Sequence, residues 1–122
     1  MNEITQVRLR TKKADHHRVL KALRGYMDHE YAHPELFHYT STRFYFTDAP
    51  DNPDEELWMC IDRYDDFDDY AASLDAARAT DAETQMHASN VASLLVAGLA
   101  SATRERWIEA EELAVDMPRR PA

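Results

Sequence analysis

The sequence predicts an α+β domain in which a four-stranded antiparallel sheet carries its helices on one face. Hydrophobic periodicity switches between two and about 3.6 residues in the order β-α-β-β-α(α)-β, the pattern of a split βαβ arrangement. Two strand-like runs, 36–47 and 57–63, are joined by an acidic segment with two prolines, so they make a hairpin. Finally, 122 residues with 44% apolar and 30% charged content suit one core and leave no spare element to cover a second sheet face.

Residues 4–11, ITQVRLRT, alternate as a strand does, with Val7 and Leu9 on one side and Gln6, Arg8 and Arg10 on the other. Asp15 is expected to cap a helix over 15–29, where Val19, Leu20, Leu23, Tyr26 and Met27 recur at helical spacing. Pro34 should stop that helix, because the residue before proline is pushed out of the α region. LFHYTSTRFYFT, 36–47, is dense in aromatic and β-branched residues and reads as a long strand. DAPDNPDEE, 48–56, reads as a solvated turn and LWMCIDR, 57–63, as an apolar strand.

Asp65 or Asp66 is expected to cap a helix over about 66–78, with Phe67, Tyr70, Ala71 and Leu74 in one stripe. Thr80-x-x-Glu83 has the form of a capping box that starts a further helix, rich in small residues and running to about 102. Residues 105–115 alternate as a last strand, although their Glu and Ala content also permits helix. A single domain over 1–115 is expected, with 116–122 as a flexible tail.

Charge excludes several functions. Fourteen Lys+Arg against 23 Asp+Glu give −9, which argues against nucleic acid or an anionic membrane as partner. No apolar run approaches the ~20 residues of a membrane span, and MNEITQVRLR has no signal-peptide core, so a cytoplasmic location is expected. Residues 8–24 hold seven cations against Asp15 alone, a pattern that suits a solvated face with charge pairs or, more sharply, a local anion site. With only Gly25 and Gly98, neither a glycine-rich phosphate loop nor a nucleophile elbow can form. The lone Cys60 permits no internal disulfide and reads as an inert thiol. The acids at 62, 65, 66, 68 and 69 lack the glycine of a calcium loop.

His29-Glu30-Tyr31-Ala32-His33 matches H-E-x-x-H, which on a helix sets two imidazoles on one face for zinc. Pro34 ends the helix at the second histidine and no third ligand follows, since His38 falls in the expected strand. The motif therefore reads as a frayed helix end with exposed imidazoles, and no metal site is assigned.

In the hairpin, Phe44, Phe46, Leu57, Met59 and Ile61 fall on alternate positions, and Tyr45, Trp58 and Cys60 fall between them. Both sheet faces then carry large apolar groups. A half-exposed sheet should be polar outside, so a second copy of the chain is expected to cover the outer face, giving a homodimer.

This chain resembles the antibiotic-biosynthesis monooxygenase (ABM) type domain of the dimeric α+β barrel superfamily. The likeness covers the element order over about 4–115. It is most specific in HPELFHYTSTRFYFTDAPDNPDEELWMCIDRYDDFDDY and in the small-residue stretch MHASNVASLLVAGL. The resemblance implies a ferredoxin-like fold, a homodimeric barrel, a pocket between sheet and helices, and cofactor-independent oxidation of a phenolic, quinol or polyketide-like compound. Tyr64 stands where the family often has a large aromatic at the end of the third strand. His87 stands near its helix histidine, with Asn90 the other candidate because the AASLDAARAT region adds residues. The haem-degrading branch needs an Asn in the first strand, where this chain reads VRLR. The expected site is thus His87 as base and Arg8 holding an anionic oxygen, with Tyr45, Trp58 and Tyr64 shaping a pocket for a small aromatic ligand. The alternative is a non-catalytic dimeric module that binds a ligand or a protein.

Overall fold

The structure is a computed structural model and describes residues 2–119, so 120–122 of the expected tail lie outside the described residues. Its elements are β1 (Glu3–Lys12), α1 (His16–Ala32), β2 (Ser41–Asp48), β3 (Glu55–Arg63), α2 (Phe67–Thr80), α3 (Ala82–Ala92) and β4 (Thr103–Ile108), with short 3-10 turns between some of them. The four strands form one antiparallel sheet in the order β2-β3-β1-β4, the topology of a ferredoxin-like α+β fold.

Register fixes which side chains share a face. Val7 lies opposite Cys60 and Leu9 opposite Trp58, while Phe44 pairs with Cys60 and Phe46 with Trp58. Those side chains face the helices. Tyr45 pairs with Met59, so Tyr45, Leu57, Met59 and Ile61 point to the outer face with Ile4 and Trp107. The two strands of the hairpin are thus out of phase by one residue relative to the sequence reading, which puts Phe44 and Phe46 with Leu57, Met59 and Ile61.

α1 runs three residues beyond the expected end and stops where the proline rule places it: His33 adopts φ −131° and its N–H bonds the Glu30 carbonyl. Asp15 makes no capping bond; it lies in a 3-10 turn and accepts from Arg18 instead. Leu20, expected in the apolar stripe, is exposed. The helix end is not frayed as the sequence suggests: His29 and Glu30 are buried, because α1 continues under α3. Asp66 does cap α2, accepting from the Asp68 N–H at 3.1 Å. The capping box does not form. Thr80 closes α2 and donates to the Ala76 carbonyl, and Asp81 caps α3 by accepting from the Thr84 N–H.

Three further boundaries move. Residues 36–40 are irregular, and Phe37 turns inward to pack with Tyr64, Tyr70, Leu74 and Ala77. α3 ends at Ala92, ten residues early, because the following segment pairs with β1: Leu95 bridges Thr11 and the Val96 N–H donates to the Arg10 carbonyl. β4 covers 103–108 and not 105–115; Glu111–Leu113 is a 3-10 turn.

The core has two clusters. One is the Phe37 group; the other centres on Val19, Leu23 and Trp58, with Leu9, Phe44, Val91 and Leu94 against it. The basic opening segment meets the acidic hairpin turn, through Arg10 with Asp51 and Glu55 and Lys13 with Asp48. The turn expected to be solvated is therefore partly ion-paired, in line with the charge-pair reading of residues 8–24.

Candidate functional site

A cavity of about 670 Å³ lies between the inner sheet face and the helices. Volumes of roughly 300–1,000 Å³ hold drug-sized ligands, so this space is large enough to matter. Val7, Leu9 and Phe44 form its floor, and Leu23, Leu74 and Val91 supply apolar walls from α1, α2 and α3. Ala88 and Ala92, on one face of α3, leave room that larger residues would fill. The exposed Leu99 marks the rim.

Polar groups enter this apolar space at a few points: Tyr26 and Glu30 from α1, Cys60 and Asp62 from β3, Arg78 from α2, Gln85 and Ser89 from α3, and Arg104 from β4. Glu30 accepts from the Tyr39 hydroxyl at 2.5 Å. Burial pushes its carboxyl up to about 7, a rise that the Tyr39 bond and the Arg78 charge oppose and the Asp62 charge supports. Asp62 accepts from the Tyr70 hydroxyl, and desolvation together with that carboxylate holds Tyr70 well above the ordinary phenol range. Burial raises the Cys60 thiol strongly, with Asp62 adding to the effect, so a reactive thiolate is disfavoured at neutral pH. The arrangement can hold a largely apolar molecule with a polar end, between two carboxyls and two guanidiniums.

The five residues singled out from sequence lie outside these walls. His87 sits between α1 and α3, its ring 5.8 Å from Tyr26 and 5.4 Å from His29. The ring lies against Gly25, where a Cβ would stand in ordinary contact at 3.4 Å. Arg8 is on the outer face, 3.5 Å from Glu105. Tyr45 is also outside and half exposed. Trp58 belongs with Val19 and Leu23 to the cluster on which the cavity residues Leu9, Phe44 and Val91 pack, so it lies behind the cavity wall; its Nε1–H donates to Glu56 Oε1 at 3.0 Å. Tyr64 belongs to the other cluster, stacked 4.4 Å from Tyr70 with its hydroxyl 3.1 Å from Thr5 Oγ1.

The residues that line the cavity had a readable signal. Glu30 continues the stripe Val19, Leu23, Tyr26 on α1, and Asp62 continues the inward series Trp58, Cys60 on β3. An acid in an apolar phase is the mark of a buried polar group that needs a purpose.

A four-stranded antiparallel sheet with helices on one face and a cavity between them defines a ferredoxin-like α+β domain. Solved structures share this fold. SnoaB, a cofactor-independent oxygenase from Streptomyces nogalater, matches with a TM-score of 0.54 at 11% identity, over 93% of this chain and 98% of that one. A dimeric ferredoxin-like protein of unknown function from Jannaschia sp. CCS1 matches with a TM-score of 0.55 at 15% identity, over 88% and 99%. A Nitrosomonas europaea protein provisionally named an antibiotic biosynthesis monooxygenase matches with a TM-score of 0.55 at 17% identity, over 88% and 98%. The likeness to ABM-type domains read from the sequence is thus a likeness of fold. No family model matches the chain, and no curated protein matches it.

Proposed function

We propose that this chain is a homodimeric protein that binds a small, largely apolar molecule in the cavity between sheet and helices. The observation that carries the reading is the cavity itself: about 670 Å³ of apolar-walled space into which a few charged and hydroxyl groups converge. Homodimerisation is supported by the outer face, where Tyr45 and Trp107 are half exposed and Met59 and Ile61 are only partly buried. Its relatives in fold include proteins described as dimeric.

The finer reading is cofactor-independent oxygenation of an aromatic, quinol or polyketide-like compound. It is supported by carboxyls at the cavity wall, Glu30 and Asp62, and by the activity named for SnoaB. The alternative, ligand binding without chemistry, uses the same cavity, because a fold hosts both.

Calorimetric titration with a panel of hydroquinones and naphthols tests the binding reading, with Ala88→Trp beside the parent. The parent should bind one molecule per chain, and the indole should fill the space and weaken binding at least ~10-fold. Equal affinity in both would remove the cavity from the account. Oxygen uptake with the compounds that bind then separates the oxygenase from the silent binder.

A further inference from the structure

The histidines of the H-E-x-x-H segment point away from the cavity and meet a residue of α3. Ligand atoms of His29, His33 and Glu83 lie within 4.8 Å of one another. We propose that these three residues form a site for a divalent first-row metal ion such as zinc, pinning the end of α1 to the start of α3.

The hydrogen-bond partners fix which ring nitrogens face inward. His29 Nε2 lies 3.0 Å from Asp81 Oδ2, and Asp81 also accepts from Thr84, so it serves as an acceptor and Nε2 carries the proton. His33 Nδ1 lies 2.8 Å from the His29 carbonyl oxygen, which can only accept, so Nδ1 is protonated there. Each ring therefore has one nitrogen held by an acceptor, which leaves Nδ1 of His29 and Nε2 of His33 as the atoms a metal ion would take. A carboxylate or backbone carbonyl behind the imidazole is the arrangement that orients histidine ligands on metals.

His29 Nδ1 supports the assignment independently. Its side chain is 1% exposed, and this nitrogen makes no hydrogen bond although Glu83 Oε2 is 2.8 Å away. The oxygen is near but off the hydrogen-bonding line. Tetrahedral bonds of ~2.1 Å set neighbouring ligand atoms ~3.4 Å apart, so an ion seated there would spread this pair by roughly half an ångström. Two imidazoles with one carboxylate suit zinc and its neighbours rather than calcium or magnesium. Glu83 is half exposed, so the site faces solvent on one side, and His87 Nε2 lies 3.9 Å from its other oxygen.

This site differs from a zinc protease centre. There the intervening glutamate serves the metal's water, whereas Glu30 here turns into the cavity to Tyr39. The third ligand, absent from the local sequence, comes from another helix.

The test is zinc titration of chelator-stripped protein, followed by calorimetry and by visible absorption after cobalt substitution. Glu83→Gln and His33→Ala alter partly exposed side chains, and circular dichroism checks that both variants fold. The parent should bind one zinc per chain and melt higher when loaded. Each variant should weaken binding at least ~10-fold, since losing even an outer partner of a ligand costs 10–100-fold. Failure of the parent to bind near one equivalent, or a loss below ~10-fold in Glu83→Gln, overturns the site.

Discussion

Placing a lysine at Met59 is expected to turn a two-chain particle into single chains at micromolar concentration. Met59 lies on β3, an interior strand, between Arg8 of β1 and Tyr45 of β2. Leu57 and Ile61 flank it on the same face, so this stripe is the apolar centre of the outer surface. In a two-fold interface every substitution appears twice, and Met59→Lys would bury two unpaired ammonium groups already close to Arg8. Several kcal/mol of desolvation correspond to a loss of at least ~100-fold in dimer affinity. The side chain points away from the core, so the monomer should keep its helical and strand signals. Light scattering checks this: the parent should have twice the chain mass and the variant once. A parent that stays single at micromolar concentration would sink the dimer, and an unchanged variant would move the interface elsewhere.

Trp58→Ala is expected to cost ~3–5 kcal/mol of stability, a large share of the 5–15 kcal/mol that holds a domain together. Trp58 is 3% exposed, clusters with Val19 and Leu23, stacks 5.4 Å from His16 and lies tilted 5.0 Å from Phe46. Its N–H also serves the buried Glu56, which otherwise keeps His16 at 2.7 Å. Trp58→Phe keeps most of the volume and loses that bond, for ~1–2 kcal/mol. Urea midpoints at one fixed protein concentration measure both, because dimer formation makes stability depend on concentration. If Trp58→Ala loses less than about 1 kcal/mol, the tryptophan is not the packing centre described here.

How far the sequence speaks depends on whether local pattern and tertiary contact agree. In β1 they agree, since Val7 and Leu9 alternate with Arg8 and Arg10 and the sheet turns the first pair toward the helices. They also agree at Asp66, where a short side chain before Phe67 caps α2. They part at 36–39: aromatic density marks burial, but Phe37 is buried from a loop, and β propensity does not distinguish the two. They part again after Ala92, where leucine and alanine favour helix but the chain adds backbone bonds to β1 at Thr11 and Arg10. Functional residues were harder to read. His87 and Arg8 stand out by chemistry, whereas the cavity takes Glu30 and Asp62, whose significance lies only in their phase. The H-E-x-x-H spacing was visible, but the residue completing its cluster, Glu83, reaches it through the packing of α3 on α1.

Methyl-resolved NMR with a bound naphthol reads directly where a small aromatic molecule goes. The account predicts shifts at Leu9, Leu23, Leu74, Val91 and Leu95, whose side chains line the cavity, with Ile4, Leu57 and Ile61 on the opposite face unmoved. Shifts confined to Ile4, Leu57 and Ile61, with the inward methyls still, would contradict it.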